Sequence, residues 1–277
     1  MMTEFPRRLL RDRQVLVGVS VVGLLAAAAV FAPLLIQYDP AEQLGFAFQQ
    51  QPPSAAHPFG TDHVGRDVLS RVLAGVRLSL SIASLSVLLS LTIGTGVGMT
   101  AGYVGGVFDA VLMRIVDAAL AVPRVLLLLV MLTLLPSGVV GLVLVLGLTS
   151  WFGTSRLVRA EVLSLRERDF VVATSALGLR RHRILLRHLL PNVAAPVIVA
   201  ATLGIGHIIL IEAGLSYLGA GVPRPTASLG GIINDGMSNL AQAWWISAFP
   251  GLVIVLIVIG FSLIGDSLRD VMDPKST

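Results

Sequence analysis

Long apolar stretches alternate with shorter polar connections along the whole 277-residue chain. A helix of about 20 apolar residues, rising ~1.5 Å per residue, crosses a ~30 Å hydrocarbon core. The pattern predicts six such helices and therefore an all-α polytopic membrane protein. The predicted spans are 15–36, 78–103, 110–135, 138–156, 193–213 and 249–268.

The composition agrees with this fold class. Hydrophobic residues make up 55% of the chain and charged residues only 13%, whereas a soluble protein is usually about 25% charged. The first apolar stretch, 15–36, is longer than the ~7–15 residues of a signal-peptide core, so we interpret it as an uncleaved helix. The chain has no cysteine, which excludes disulfides and thiolate metal sites.

Basic residues predict the orientation. Most of the 20 Lys and Arg residues lie before the first span, in the connection 157–192 or after the last span. The positive-inside rule therefore places both termini and 157–192 in the cytoplasm. The high pI of about 10.3 then reflects topology, and no nucleic-acid partner is expected.

The same pattern suggests a division of the chain into two parts. Residues 1–77 would hold the N-terminal tail, the first helix and an extracytoplasmic segment. Residues 78–277 would form a five-helix core that contains the cytoplasmic connection 157–192.

Five polar side chains within the predicted spans are candidates for a substrate path, because charges inside a membrane usually face a bundle interior or a wet cavity. They are Arg114, Asp117, Arg124, His207 and Glu212. Arg114 and Asp117 are three residues apart and can pair on one helix face. The alternative is a structural ion pair, with Arg124 extending to a membrane interface. His207 and Glu212 lie ~140° apart on a helix, which favours separate hydrogen-bonded groups over one metal or acid–base site.

Two other motifs are interpreted structurally. Gly94, Gly98 and Gly102 line one helix face, which is typical of close helix packing rather than of a dinucleotide-binding loop. The stretch "HPFGTDHVGRDVLSRVLAG" at 57–75 has two His and two Asp, but their spacing matches no standard metal-ligand pattern. We expect an ordered turn there, followed by a short amphipathic helix that starts near Asp67.

The connection 157–192 contains "DFVVATSALGLRRHRILLRHLLPN". Helical spacing predicts a short helix with Phe170 and Leu177, which stops at Gly178. A basic amphipathic helix follows over 180–190 and ends at Pro191. Binding to anionic lipid would explain the arginines, but it leaves the small residues of the first helix unexplained. Those residues favour close docking onto a partner.

The segment "VATSALG", followed nine residues later by "HLLP", resembles the EAA loop of ABC importer permeases. Ala173, Gly178 and Pro191 match that pattern, whereas Val172 and Thr174 depart from it. Three longer segments resemble the C-type permeases of the dipeptide, oligopeptide and nickel family, and together they cover most of the chain. They are "HPFGTDHVGRDVLSRVLAGVRLSL", "EAGLSYLGAGVPRPTASLGGIIND" and "PGLVIVLIVIGFSLIGDSLRDVMDP".

The resemblance implies a type I ABC importer permease (MetI-like) fold and a non-catalytic subunit. The partners it implies are a B-type permease, two ATPases that bind ATP and Mg²⁺, an extracytoplasmic binding protein and membrane lipid; this chain itself would bind no cofactor. The cargo would be di- or oligopeptides, with nickel or glutathione as alternatives. The implied ATPase-coupling residues are Phe170, Ala173, Thr174, Leu177, Gly178 and Arg181.

A secondary transporter and an intramembrane enzyme are the two alternatives to an importer permease. A secondary transporter usually shows an internal repeat, and none is evident. An intramembrane enzyme needs a nucleophile–base motif, and neither Gly-x-Ser-x-Gly nor His-Glu-x-x-His occurs. A Walker-type Gly-x-x-x-x-Gly-Lys-Ser/Thr loop is also missing from the sequence, so any ATP hydrolysis belongs to another subunit.

Overall fold

The computed structural model describes residues 12–36 and 38–272. The arginines before Arg13 and Lys275, which contribute to the predicted orientation, lie outside these residues. Within the described ranges the regular structure is helical, apart from an isolated bridge between Thr61 and Asp67. The helices are α1 (Arg13–Val30), α2 (Ala32–Leu35), α3 (Val68–Val104), α4 (Gly106–Ala121), α5 (Arg124–Leu134), α6 (Val139–Arg166), α7 (Asp169–Ala176), α8 (Arg181–Ile184), α9 (Leu190–Tyr217), α10 (Leu229–Met237) and α11 (Trp245–Met272).

Five helical units of the described chain are long and apolar enough to cross a membrane, and the bent pair α4–α5 makes a sixth. The prediction of six spans is confirmed in that form. The third span was wrong as one continuous helix, because α4 and α5 meet at a bend of 99°. Val122, which precedes Pro123, is extended with φ −79° and ψ 132°. The proline ring disfavours helical backbone at the residue before it, so the helix breaks there.

The start of α3 was predicted only in part. Asp67 is its N-cap and accepts a hydrogen bond from the Ser70 N–H at 2.7 Å, which confirms the start. A separate short helix before the second span was wrong, because α3 runs for 37 residues without interruption. Gly75 does not break it. This glycine instead lets α3 approach Leu229 closely, since an added Cβ would lie 3.2 Å from that side chain.

Pro191 does not end the basic helix as predicted. Helix α8 passes through a π-helical turn, Leu185–Leu189, directly into α9. The Leu190 N–H donates to the Leu185 carbonyl, five residues back. Pro191 then occupies the first turn of α9, where the wider turn and the helix start make its missing N–H harmless.

The predicted glycine face packs helix on helix. Gly94 and Gly98 of α3 lie against α6, where an added Cβ at Gly98 would come within 2.5 Å of the Ser155 carbonyl oxygen. On the other side of the bundle, Gly18 of α1 contacts Gly260 of α11 in the same way. These contacts confirm the structural interpretation of the glycine pattern. The proposed boundary between 1–77 and 78–277 stays a prediction.

Candidate functional sites

A buried ion-pair cluster joins the segment before α3 to helix α10. Asp62 Oδ2 accepts from Arg66 Nε at 2.7 Å and also binds Arg71 Nη1. Asp235 Oδ2 accepts from Arg66 Nη2 at 3.1 Å and from Arg71 Nη2 at 2.9 Å. Arg224 binds the other oxygen of Asp235 from the surface. We call these five residues the ion-pair cluster.

The ion-pair cluster keeps Asp62 ionised. Burial alone would raise the pKa of Asp62, but the guanidinium groups of Arg71 and Arg66 and backbone N–H donors outweigh burial and hold that pKa below its usual value. Ligand-type atoms of Asp62, His63 and Asp235 lie within 4.8 Å of one another. Both carboxylates already bind arginines, however, so a metal ion would have to displace them. The geometry favours ion pairing over metal binding.

A second polar group lies beside the break between α4 and α5, where Arg124 is partly buried and His207 is exposed in the single chain. Arg124 Nη1 donates to His207 Nε2 at 2.7 Å, and Arg124 Nη2 donates to Ser150 Oγ at 2.9 Å. Because an arginine can only donate, the His207 Nε2 atom acts as the acceptor. The structure thus brings together two of the candidate path residues, one on α5 and one on α9.

Glu212 is separate from this group and fully enclosed. It is 1% exposed, and its two oxygens accept from Ser79 Oγ and Ser216 Oγ at 2.8 Å each. It joins α3 to α9 and has no access to a path in this conformation. The prediction that His207 and Glu212 form hydrogen-bonded groups rather than one joint site agrees with these partners.

The expected pair between Arg114 and Asp117 was wrong. Asp117 instead lies 3.8 Å from Arg156 Nη1 on α6, and both side chains are more than half exposed. Asp109, two helical turns earlier on α4, binds Arg159 of α6 through both carboxylate oxygens. The acidic side of α4 therefore faces the basic side of α6, which satisfies Asp117 across the helix contact rather than along its own helix.

The segment 169–180 is exposed at the end of the bundle that carries α7. Helix α7 ends at Ala176, and Gly178 follows with φ +72°, which confirms the predicted helix stop. Val171 is 2% exposed and anchors the segment among Ile184, Leu189 and other buried residues. The remaining predicted coupling positions point outward or lie half-buried. Phe170 is 38% and Leu177 79% exposed; Ala173, Gly178 and Arg181 are exposed, and Thr174 is half-buried.

Sequence reasoning missed the ion-pair cluster. Arg66, Arg71 and Asp235 were not singled out, because Asp235 lies more than 160 residues away in sequence from its two arginines. The available signal was the occurrence of charged residues in the connections before α3 and around α10, which could have suggested pairing between them.

Comparison with known proteins decides the family. Residues 94–277 match the family described as binding-protein-dependent transport system inner membrane component. Residues 1–53 match the N-terminal transmembrane domain of oligopeptide transport permease C. The chain belongs to this permease family. The predicted resemblance to C-type permeases is thereby confirmed, as is the prediction of a permease subunit of an ABC importer.

Individual relatives cover nearly the whole permease. It is 37% identical over 264 residues to the oligopeptide transport system permease protein OppC of Bacillus subtilis, covering 95% of this chain and 86% of that one. It is 39% identical over 269 residues to the dipeptide transport system permease protein DppC of Alkalihalophilus pseudofirmus, covering 97% and 88%. An inward-facing structure of the MetNI methionine ABC transporter matches the fold with a TM-score of 0.57, at 22% identity, over 74% of this chain and 97% of that chain.

Proposed function

We propose that this permease forms, with a second B-type permease, the path of an importer for di- or oligopeptides. Two ATPases on the cytoplasmic face would bind ATP and Mg²⁺ and drive it, and an extracytoplasmic binding protein would deliver the cargo. Both termini and α7 would then be cytoplasmic, in the bacterial inner membrane. The names of the relatives, oligopeptide and dipeptide permeases, support the cargo class.

The exposed segment 169–180 carries this proposal. A part that transmits force must be stiff, must be anchored and must present a surface to its partner. Helix α7 provides stiffness, and Val171 anchors it in a buried cluster that also includes residues of α6 and α9. Leu177 and Val172, which are 79% and 54% exposed, offer apolar contact to a partner. Exposed apolar side chains clustered on a rigid element are typical of an interaction site.

The helices that flank the bend support a second permease. Many apolar residues of α4 and α5 are exposed in the single chain, among them Val111, Ile115, Val125 and Val130. Arg124 also lies at this bend and is only partly buried. A charged group on a lipid-facing surface is costly, so a partner that closes over this side, leaving a polar path between the two subunits, accounts for the position of Arg124.

Cysteine cross-linking tests the ATPase contact, because the chain has no native cysteine. Ala173→Cys should cross-link to an ATPase subunit in the assembled importer, in at least one nucleotide state. Phe46→Cys is the matched control: Phe46 is 91% exposed, but it lies in the segment between α2 and α3, on the opposite face. It should react with a membrane-impermeant thiol reagent from outside and never link to an ATPase.

Two results would oppose the proposal. If position 173 never cross-links in any nucleotide state, segment 169–180 does not contact the ATPases and lies on lipid instead. If position 46 links to an ATPase, the orientation is inverted. The cargo class is tested separately, by identifying the ligand that the cognate binding protein retains, which distinguishes peptides from nickel and glutathione.

A further inference from the structure

Arg124, at the bend between α4 and α5, has no anionic partner among the described residues. Its contacts there are His207 and Ser150, both neutral acceptors, and no carboxylate of the described residues lies within 4.0 Å of it. Ser150 is 11 residues from the start of α6 (Val139–Arg166), or ~16 Å along the helix axis. The guanidinium therefore lies level with the middle of α6 along the helix axis.

Arg124 also retains unused donors. A guanidinium carries five N–H groups, and His207 and Ser150 engage one each. The Nε atom has no hydrogen-bond partner. This incomplete satisfaction differs from that of Glu212, whose two oxygens both accept hydrogen bonds from serines. In a medium without bulk water, an arginine with unused donors and no anion is costly.

The backbone adds positive charge at the same place. Arg124 is the first residue of α5, an 11-residue helix whose preceding backbone is broken at Val122 and Pro123. The N–H groups of its first turn have no acceptor within the helix, and the helix dipole makes this end partially positive. Broken membrane helices with N-termini at mid-membrane bind the anionic groups of substrates in several transporter folds.

We propose that Arg124 and the N-terminus of α5 bind the C-terminal carboxylate of a peptide as it passes through the importer. This inference rests on the proposed peptide cargo. Planar guanidinium donors match a carboxylate well and can bind both of its oxygens. His207 and Ser150 are positioning residues, because each accepts a hydrogen bond from one Nη group of Arg124 and so fixes the guanidinium beside the N-terminus of α5.

The test uses the complete importer, reconstituted in proteoliposomes with its binding protein. Transport is measured for one peptide with a free C-terminal carboxylate and for the same peptide with a C-terminal amide, each supplied at a concentration that saturates the binding protein. Arg124→Gln should lower transport of the free acid by roughly tenfold or more, as expected for loss of a charged hydrogen bond. Transport of the amide should be unchanged from wild type.

Arg124→Lys provides a second variant that keeps the charge. It should retain more free-acid transport than Arg124→Gln, while losing the geometry that binds both oxygens. Ser150→Ala should weaken free-acid transport selectively and by less. Basal ATPase activity of each complex reports whether the variant importer is assembled.

Distinct outcomes overturn distinct claims. Equal loss of acid and amide transport, or failure of Arg124→Gln to assemble while Arg124→Lys assembles, would mean that Arg124 pairs with a carboxylate of the second permease, and the substrate contact would be wrong. If the wild-type importer transports neither peptide, the proposed peptide function fails instead.

Discussion

The two ends of this permease satisfy their side chains in opposite ways. At one end, the carboxylates of Asp62 and Asp235 are buried and bound by arginines of the same chain. At the other end, segment 169–180 leaves Leu177 and Phe170 exposed. The first end is complete within one chain, whereas the second exposes apolar side chains that our proposal assigns to contact with an ATPase.

This difference follows from the kind of group at each end. A buried charge needs an opposite charge within the folded chain, because removing it from water without one costs several kcal/mol. Asp62 and Asp235 therefore bind Arg66 and Arg71 within the chain. An exposed Leu177 costs far less, because water tolerates single apolar side chains. A surface proposed to dock and release during transport can therefore be apolar and open, whereas the part that joins the segment before α3 to α10 is ionic and closed.

The largest expected effect on stability comes from breaking the closed end. Asp235→Ala removes the carboxylate that Arg66 and Arg71 share and leaves these buried cations under-compensated. We expect the free energy of unfolding to fall by about 3–5 kcal/mol, as for other broken buried ion pairs. Denaturant unfolding of the purified permease in detergent measures this loss.

Arg224→Ala is the matched control within the same cluster. Arg224 also binds Asp235, but its side chain is 70% exposed, so its loss should cost about 1 kcal/mol or less. If the two variants lose equal stability, burial does not determine how much the ion pairs of the ion-pair cluster contribute to the free energy of unfolding.

A smaller loss of stability is expected from disturbing the close contact between helices α3 and α6. Gly98→Leu would force side-chain atoms into the backbone of α6 at Ser155 and into Val158. We expect a loss of about 1–3 kcal/mol from overpacking. Gly96→Leu is the control on the same helix, because an added Cβ there meets nothing within 4 Å. Equal behaviour of the two variants in detergent unfolding would show that α3 and α6 do not pack through this face.

The sequence predicted the spans well because each is a long apolar stretch, a signal that needs no distant contact. It also predicted the Asp67 helix start, the stop at Gly178 and the glycine packing face, all of which depend on local chemistry. It failed where geometry depends on a neighbouring helix. The partner of Asp117 is Arg156, on α6. Pro191 is accommodated by a π-helical turn, which no pattern of residues in the sequence predicts.

Candidate site residues divide along the same line. Arg124 and His207 were recognised individually as costly groups in a membrane, but their mutual hydrogen bond requires α5 and α9 to meet. The ion-pair cluster was not predicted, since Asp62 and Asp235 come from connections that lie far apart in the sequence. Charge in an apolar span identifies a residue of interest, whereas its partner is fixed only by the packing of the bundle.

The smallest expected effect is a change of stability with pH that appears only in acid and leaves stability near neutral pH unchanged. The pKa of Asp62 is lowered in the folded state, because Arg71, Arg66 and backbone N–H donors together outweigh burial, which would raise it. A carboxylate with a lowered folded-state pKa contributes stability that is fully present above its unfolded value of 3.8 and is lost as pH falls through the folded-state pKa. Between about pH 8 and 5, the difference in unfolding free energy between wild type and Asp62→Asn should therefore stay constant. Below pH 3.8 it should shrink as the wild-type carboxyl takes up a proton. Denaturant unfolding of both proteins in detergent across this range measures the difference. A difference that already declines between pH 7 and 5 would contradict a lowered pKa for Asp62, and with it the view that the arginines of this closed end hold that carboxylate in its charged form.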